Sequence, residues 1–216
     1  MSLQTNIAAI RKNYAKQSLS EESVRKHPIE QFRVWLDEAI NAEVNEPTAM
    51  VVATVGAAGK PSARVVLLKD VQEDGFVFYT NYESRKGRDL ADNPFASLTF
   101  FWPSLERQVR IEGKVTKVDA AVSDAYFHSR PTGSQIGAWA SPQSQPIGSR
   151  EVLEEADKKF TNQFKDEPII PRPAHWGGYL VVPSLVEFWQ GRPNRLHDRI
   201  VFEQNGENWQ LKRLAP

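Results

Sequence analysis

"AMVVATVGAAGKPSARVVLLKDVQEDGFVFYTN", residues 49–81, decides the fold class. It holds three runs rich in Val, Phe and Thr: "AMVVATVG", "SARVVLLKDV" and "GFVFYTN". The connections between them carry Gly, Pro and Asp and are too short for a crossover helix. Branched and aromatic side chains suit a pleated, half-buried surface, and short connections join antiparallel neighbours. "FASLTFFW" (95–102) and "RQVRIEGKV" (107–115) repeat the pattern, and one short helical stretch, "SRKGRDLADN" (84–93), interrupts it. "WGGYLVVPSLVEFWQG" (176–191), "RLHDRIVFEQ" (195–204) and "NWQLKRL" (208–214) return to strands. Longer helices are expected at "HPIEQFRVWLDEAI" (27–40), "DAAVSDAYFHSR" (119–130) and "SREVLEEADKKFTNQF" (149–164). In the first, Pro28 suits an initial helical position, and Phe32, Trp35, Leu36, Ala39 and Ile40 form one apolar stripe. The expectation is a mainly β protein with helices: an antiparallel barrel with peripheral helices. Residues 1–20 read as an arm, with a weak helical pattern around Ile7, Ile10 and Tyr14, and residues 21–216 as a single domain.

Composition narrows the function. Lys+Arg and Asp+Glu balance at 27 each, so no bulk charge draws the chain to nucleic acid or anionic lipid. There is no cysteine, which removes disulfides, thiolate metal sites and cysteine nucleophiles together. The four histidines show no close ligand spacing, so no metal site is expected. No apolar run approaches the roughly 18 residues of a membrane span, and the N-terminus lacks the apolar stretch of a signal peptide. A cytoplasmic protein with no membrane and no nucleic-acid partner is the expectation. Phosphate-loop, HExxH and GxSxG motifs are absent.

Local clustering of cations is more informative. In "NYESRKGRDLADN" Ser84 is a natural N-cap, which places Arg85 and Lys86 in the first helical turn. Cations oppose the helix dipole there unless an anion joins them, and a phosphate is the obvious anion. The alternative is that both side chains splay into water. In "SDAYFHSRPTGSQIGAWASPQSQ", Tyr126 and Arg130 are four apart on a helix that Pro131 ends. Ser134 follows in a Gly-containing turn. Phenol, guanidinium and hydroxyl can cradle a phosphate ester. From spacing alone, a core-packed Tyr126 with an exposed Arg130 is the plainer reading. Arg64 and Lys69 stand at the two ends of an apolar strand, where strict alternation puts them on opposite faces unless the strand is bulged. Gln108 shares a face with Arg110 and Glu112, while Val109 and Ile111 face the core. In "RLHDR" (195–199) a strand would point Arg195, His197 and Arg199 the same way.

These segments carry a family resemblance. "RVVLLK" (64–69), "FYTN" with "SRKG" (78–87), "ERQVRIEG" (106–113), "YFHSRP" with "SQIGAWAS" and "QS" (126–144), and "EFWQG" with "RLHDR" (187–199) occur in that order. The sequence resembles the pyridoxamine 5'-phosphate oxidase family, from about residue 28 to the closing "RLAP". The resemblance implies an FMN-binding split β-barrel and a homodimer with FMN at the subunit interface. It implies that Arg64, Val65, Val66, Leu67, Leu68, Lys69, Tyr79, Thr80, Arg85, Lys86, Gln108, Gln143, Ser144, Trp189 and Arg199 surround FMN. By the same resemblance Lys69, Tyr126, Arg130 and Ser134 hold the phosphate of the substrate. Arg195 and His197 carry the catalytic role at its ring, beside Leu196, and Arg11, Lys12, Asn13 and Tyr14 close over it. The implied reaction converts pyridoxamine 5'-phosphate or pyridoxine 5'-phosphate to pyridoxal 5'-phosphate. O2 accepts the electrons, and H2O2 is released, with NH3 from the amine. A flavin reductase on the same barrel, or a non-catalytic carrier of flavin or pyridoxal phosphate, are the alternative readings.

Overall fold

The computed structural model describes residues 12–216. Among the described residues, five α-helices and nine β-strands follow in the order α1 (Pro28–Asn41), β1 (Ala49–Val55), β2 (Pro61–Leu67), β3 (Asp70–Val71), β4 (Phe76–Asn81), α2 (Arg85–Asp92), β5 (Phe95–Trp102) and β6 (Arg107–Lys117). Then come α3 (Ala120–Ser129), α4 (Thr132–Ala140), α5 (Glu151–Phe164), β7 (Trp176–Gln190), β8 (Asp198–Asn205) and β9 (Asn208–Arg213). The strands hydrogen-bond in the order β2-β1-β5-β6-β7-β4-β3, and β8 and β9 continue from β7. The β1–β2, β3–β4, β4–β7, β7–β8 and β8–β9 pairs are antiparallel. β7 pairs with β4 over Trp176–Val181 and with β8 over Leu185–Gln190. Pro183, which has no N–H for a ladder, falls in the gap between the two pairings.

The chain divides into two compact units. The first holds the described residues up to Pro47, with Thr99–Ile111 and Leu185–Pro216; the second holds Thr48–Leu98 and Glu112–Ser184. In the first, α1 buries Ile29, Phe32, Trp35 and Ala39. Phe32 meets Phe100 with ring centroids 4.9 Å apart, and Trp35 meets Phe188 edge-on at 5.2 Å. Ile40, expected in the buried stripe, is half exposed at the end of the helix. In the second unit Met50, Val52, Phe76, Phe78, Leu98 and Val181 form the sheet core. Phe127, Ile136, Phe164, Ile170 and Trp176 form another cluster under the helices. Val109 and Ile111 are fully buried, alternating with half-buried Gln108, Arg110 and Glu112 as the period of two requires.

Two local readings are corrected. Thr132–Ala140 is a helix, α4, so Ser134 sits in a helical first turn and not in a loop. Its two glycines and two hydroxyl residues give little helix propensity, and packing of Ile136 in the aromatic cluster overrides that. The "RLHDR" stretch is not a strand throughout. Pro193–Arg195 form a 3₁₀ turn in which Asn194 and Arg195 have φ of 57° and 62°, and β8 starts only at Asp198. Two successive non-glycine residues in the left-handed region break the alternation on which the shared-face reading rested. Among the described residues no helix is long and apolar enough to cross a membrane.

Candidate active site

The second unit contains a cavity of about 920 Å³ whose lining includes the cations Arg64, Lys69, Arg85, Lys86 and Arg130. Along its wall the N-terminus of α2 forms as the sequence predicts. Ser84 is the N-cap, in extended conformation, and its Oγ accepts from the Gly87 amide at 3.3 Å. Gly87 is needed for packing, since a Cβ there would lie 1.9 Å from the Tyr82 carbonyl oxygen. Lys86 turns inward. Its Nζ donates to Thr80 Oγ1 at 2.8 Å, Gln143 Oε1 at 2.9 Å and Ser84 Oγ at 3.3 Å. Burial, with the nearby Arg64 cation, pushes Lys86 down to about 8. Arg85 and Ser144 line the same cavity.

Arg64 is held from behind. Its Nη1 donates to Thr54 Oγ1 at 2.8 Å and to the Val52 carbonyl at 3.1 Å, and its Nη2 donates to Ser62 Oγ. Asp89 of α2 accepts from Thr54 Oγ1 at 2.7 Å and Ser62 Oγ at 2.9 Å, and lies 3.9 Å from Arg64. Burial opposes the charge on Asp89, but the two hydroxyl donors and the Arg85 and Arg64 cations outweigh it and lower its pKa. The question of opposite faces is also resolved. β2 ends at Leu67 and β3 begins at Asp70, so Lys69 lies in the break and reaches the same cavity as Arg64. Val65, Val66 and Leu67 line it too. Leu68 does not: it is buried, and its amide donates to the Thr48 carbonyl.

Tyr79, Tyr126 and Trp176, which also line the cavity, stack. Tyr79 and Tyr126 have centroids 3.9 Å apart, and Tyr79 and Trp176 5.5 Å. The Arg130 guanidinium lies 4.6 Å above the Trp176 ring. α3 ends at Ser129 as Pro131 dictates, and Arg130 adopts an extended conformation that turns it into the cavity beside Tyr126 and Ser134. Arg130 Nη1 is buried without a hydrogen-bond partner among the described residues, and burial lowers the guanidinium's pKa. A core-packed tyrosine with a solvent-exposed arginine does not describe this pair. Trp176, the platform for both, is a residue that sequence reasoning missed; the "HWGG" that marks it read only as the start of a strand.

The first unit gathers a second set. Lys12, Asn13, Tyr14, Arg192, Asn194, Arg195 and His197 line a cavity of about 920 Å³. Behind it, Trp189 lies 4.6 Å from the His197 ring and 5.8 Å from Tyr14. Burial, then the Arg195 cation, lowers His197 below its ordinary value. Trp189 pairs with Arg199 across β7–β8. Arg199 Nε donates to Glu187 Oε1 at 2.6 Å, and Arg110 donates to the other oxygen of this buried carboxylate at 2.9 Å. The Glu187 bond raises the pKa of Arg199. Gln108 is half buried in β6, and Leu196 is 70% exposed and does not line the cavity. Arg11 lies outside the described residues.

Residues 36–162 match the family model described as pyridoxamine 5'-phosphate oxidase, and residues 176–216 match the pyridoxine 5'-phosphate oxidase C-terminal dimerisation region. Curated relatives named pyridoxine/pyridoxamine 5'-phosphate oxidase include one from a Cyanothece species, 56% identical over 98% of this chain and 99% of that protein. Another, from Polynucleobacter asymbioticus, is 57% identical over the same shares. Among solved structures, PhzG from Burkholderia lata, in complex with tetrahydrophenazine-1-carboxylic acid, superimposes with a TM-score of 0.88. It is 29% identical and covers 94% of this chain and all of its own. An FMN-binding, pyridoxamine 5'-phosphate oxidase-related protein from Nostoc punctiforme, 17% identical with a TM-score of 0.70, covers 89% of this chain and all of its own; it shares the fold, the antiparallel split β-barrel with peripheral helices. Full-length identity above one half, joined to a cavity lined by several cations, leads to one assignment. The chain belongs to the pyridoxamine 5'-phosphate oxidase family, homodimeric FMN-dependent oxidases that form pyridoxal 5'-phosphate from pyridoxine 5'-phosphate and pyridoxamine 5'-phosphate.

Proposed function

We propose that the two cation clusters of the second unit's cavity hold two different phosphates: that of FMN at the start of α2, and that of the substrate at Arg130. The observation that carries this division is the buried, unpartnered Nη1 of Arg130, a guanidinium fixed on an aromatic stack with a donor left over for an anion. The α2 end fits FMN on its own chemistry. Lys86 is buried among three neutral oxygens and, among the described residues, forms no ion pair with a carboxylate, so an incoming phosphate dianion supplies the missing charge. Arg64, Arg85, Lys86, Gln143 and Ser144 hold that phosphate, with Tyr79, Thr80, Val65, Val66, Leu67 and Lys69 alongside. Gln108, Trp189 and Arg199 contribute to the flavin as well.

Lys69, Tyr126, Arg130 and Ser134 fix the phosphate of the substrate, and Arg195 and His197 meet its ring. When bound, FMN supplies the two-electron acceptor for oxidation at the 4'-carbon and the route by which O2 becomes H2O2. The protein orients: two phosphate grips restrict the substrate to one pose against the cofactor. Arg195 stabilises negative charge on the ring, and His197 donates from Nε2 to its polar substituents.

FMN lies at the interface of a cytoplasmic homodimer, in which residues 21–216 act as one FMN-binding domain and residues 1–20 as its arm. Val51 and Val65 stand opposite each other on β1 and β2, 39% and 67% exposed, an apolar pair that a second copy would cover. The test is a pair of variants. Arg130→Ala should raise KM for pyridoxine 5'-phosphate by ~10- to 100-fold, as expected for losing a charged hydrogen bond, with FMN affinity unchanged. Lys86→Met should weaken FMN first. If Arg130→Ala instead released FMN and left KM alone, the two phosphate sites would be wrongly assigned.

A further inference from the structure

We propose that Glu106 is a positioning residue that pins the N-terminal arm, so that Tyr14 stands as a fixed wall of the Arg195–His197 cavity. This rests on the assignment of that cavity to the ring of the substrate. Glu106 is the last residue of the β5–β6 turn, with φ of 56°, in the left-handed region that non-glycine side chains rarely adopt. Its backbone is fixed there: the Glu106 carbonyl accepts from the Gly191 amide at 2.7 Å and from Gln190 Nε2 at 3.2 Å. Its side chain is buried, and one carboxylate oxygen accepts from two consecutive arm amides, Ala15 at 2.9 Å and Lys16 at 3.0 Å. Successive amides converging on one anion form a compact and orientation-specific grip. Lys16 adds a second tie, donating from Nζ to the Ser104 carbonyl at 2.7 Å.

The grip fixes the residue just before it. Tyr14 packs edge-on against Trp189 at 5.8 Å and against His197 at 6.1 Å. Gly191 makes room for it: a Cβ at that position would lie 2.8 Å from Tyr14 Cβ and Cγ. A strained backbone, a buried carboxylate and a glycine thus meet at one point of the arm. Each would be dispensable if the arm were merely draped over the surface. The energetic consequence falls on substrate binding. An arm that is already in place need not be ordered by the substrate, whereas a loose arm reduces apparent affinity by the fraction of time it is correctly placed.

The test uses the FMN-loaded enzyme and the variant Glu106→Gly, which removes the carboxylate while relieving the positive φ, so that the turn itself is not penalised. Amide hydrogen exchange at Ala15 and Lys16 should become at least ~10-fold faster, the scale of two lost bonds to a charged acceptor. KM for pyridoxine 5'-phosphate should rise by a similar ~10-fold while kcat moves less than twofold and FMN affinity stays the same. Glu106→Gln, which keeps an acceptor oxygen, should restore part of both effects. Gly191→Ala should raise KM in the same way by displacing Tyr14 with the carboxylate intact. Unchanged exchange at Ala15 and Lys16, or faster exchange with unchanged KM, would overturn the proposal. Absence of any turnover in the wild-type enzyme would instead sink the assignment of the cavity, and the exchange result would still report on the pin.

Discussion

The main-chain amide of Arg192 donates to Nδ1 of His197 over 3.1 Å. An amide is only a donor, so Nδ1 must be the acceptor, and the neutral imidazole carries its proton on Nε2. Burial and the Arg195 cation act in the same direction by lowering the pKa of His197. The strained turn at Asn194 and Arg195 is what brings the ring back over the Arg192 amide.

His197 is therefore a fixed donor through Nε2, and substitution should show it. His197→Gln places an amide N–H near the Nε2 position and should retain more kcat/KM than His197→Asn, which reaches only as far as Nδ1. Losing that donor should cost ~10- to 100-fold. Protonation would put an N–H opposite the Arg192 amide, so the acid limb of kcat/KM should fall below the ordinary imidazole value of 6.5. An acid limb above that value, or Asn outperforming Gln, would contradict the tautomer.

FMN affinity should depend on pH through Lys86. In the free protein this ammonium is pushed down to about 8, and a bound phosphate dianion favours its charged form. Below pH 8 the ammonium is already charged and binding needs no proton; above it, binding must take one up. Between pH 7 and 9.5, where the phosphate stays doubly ionised, the dissociation constant should be level and then rise by up to ~10-fold per pH unit. Fluorescence titration of FMN into the apoprotein reads this directly. Lys86→Arg should flatten the curve, and a wild-type curve with no break would remove Lys86 from the phosphate site.

Trp176 should matter to the substrate and not to the flavin. It supports the Arg130 guanidinium at 4.6 Å and stacks with both tyrosines. A desolvated cation–π contact contributes ~0.5–2 kcal/mol, so Trp176→Leu should raise KM for the phosphorylated substrate by roughly 3- to 30-fold. Trp176→Phe keeps a ring and should lie between. Equal loss of FMN binding in both variants would show Trp176 to be a general packing residue.

What could be read from the chain was whatever local chemistry enforces. Alternation of Val109 and Ile111 with Gln108 and Arg110, the Ser84 cap and the Pro131 stop each follow from a few neighbouring residues, and the structure keeps them. α4 was hidden because Gly133, Gly137 and two hydroxyl residues suggest a loop, and the packing that makes it a helix comes from Phe164 and Ile170, far along the chain. The turn at 193–195 was hidden by the tidy alternation of "RLHDR", although Pro193 was its visible signal. Glu106 opens the segment "ERQVRIEG", but its tie to the arm could not be read there, since its partners Ala15 and Lys16 are some ninety positions away.

The most direct test of the central claim is an anaerobic absorbance titration of the FMN-loaded protein with pyridoxine 5'-phosphate. The account predicts loss of the oxidised flavin band, and its return in air with pyridoxal 5'-phosphate and H2O2 formed. A band that persists while both ligands remain bound would contradict it and leave the two cation clusters as those of a carrier.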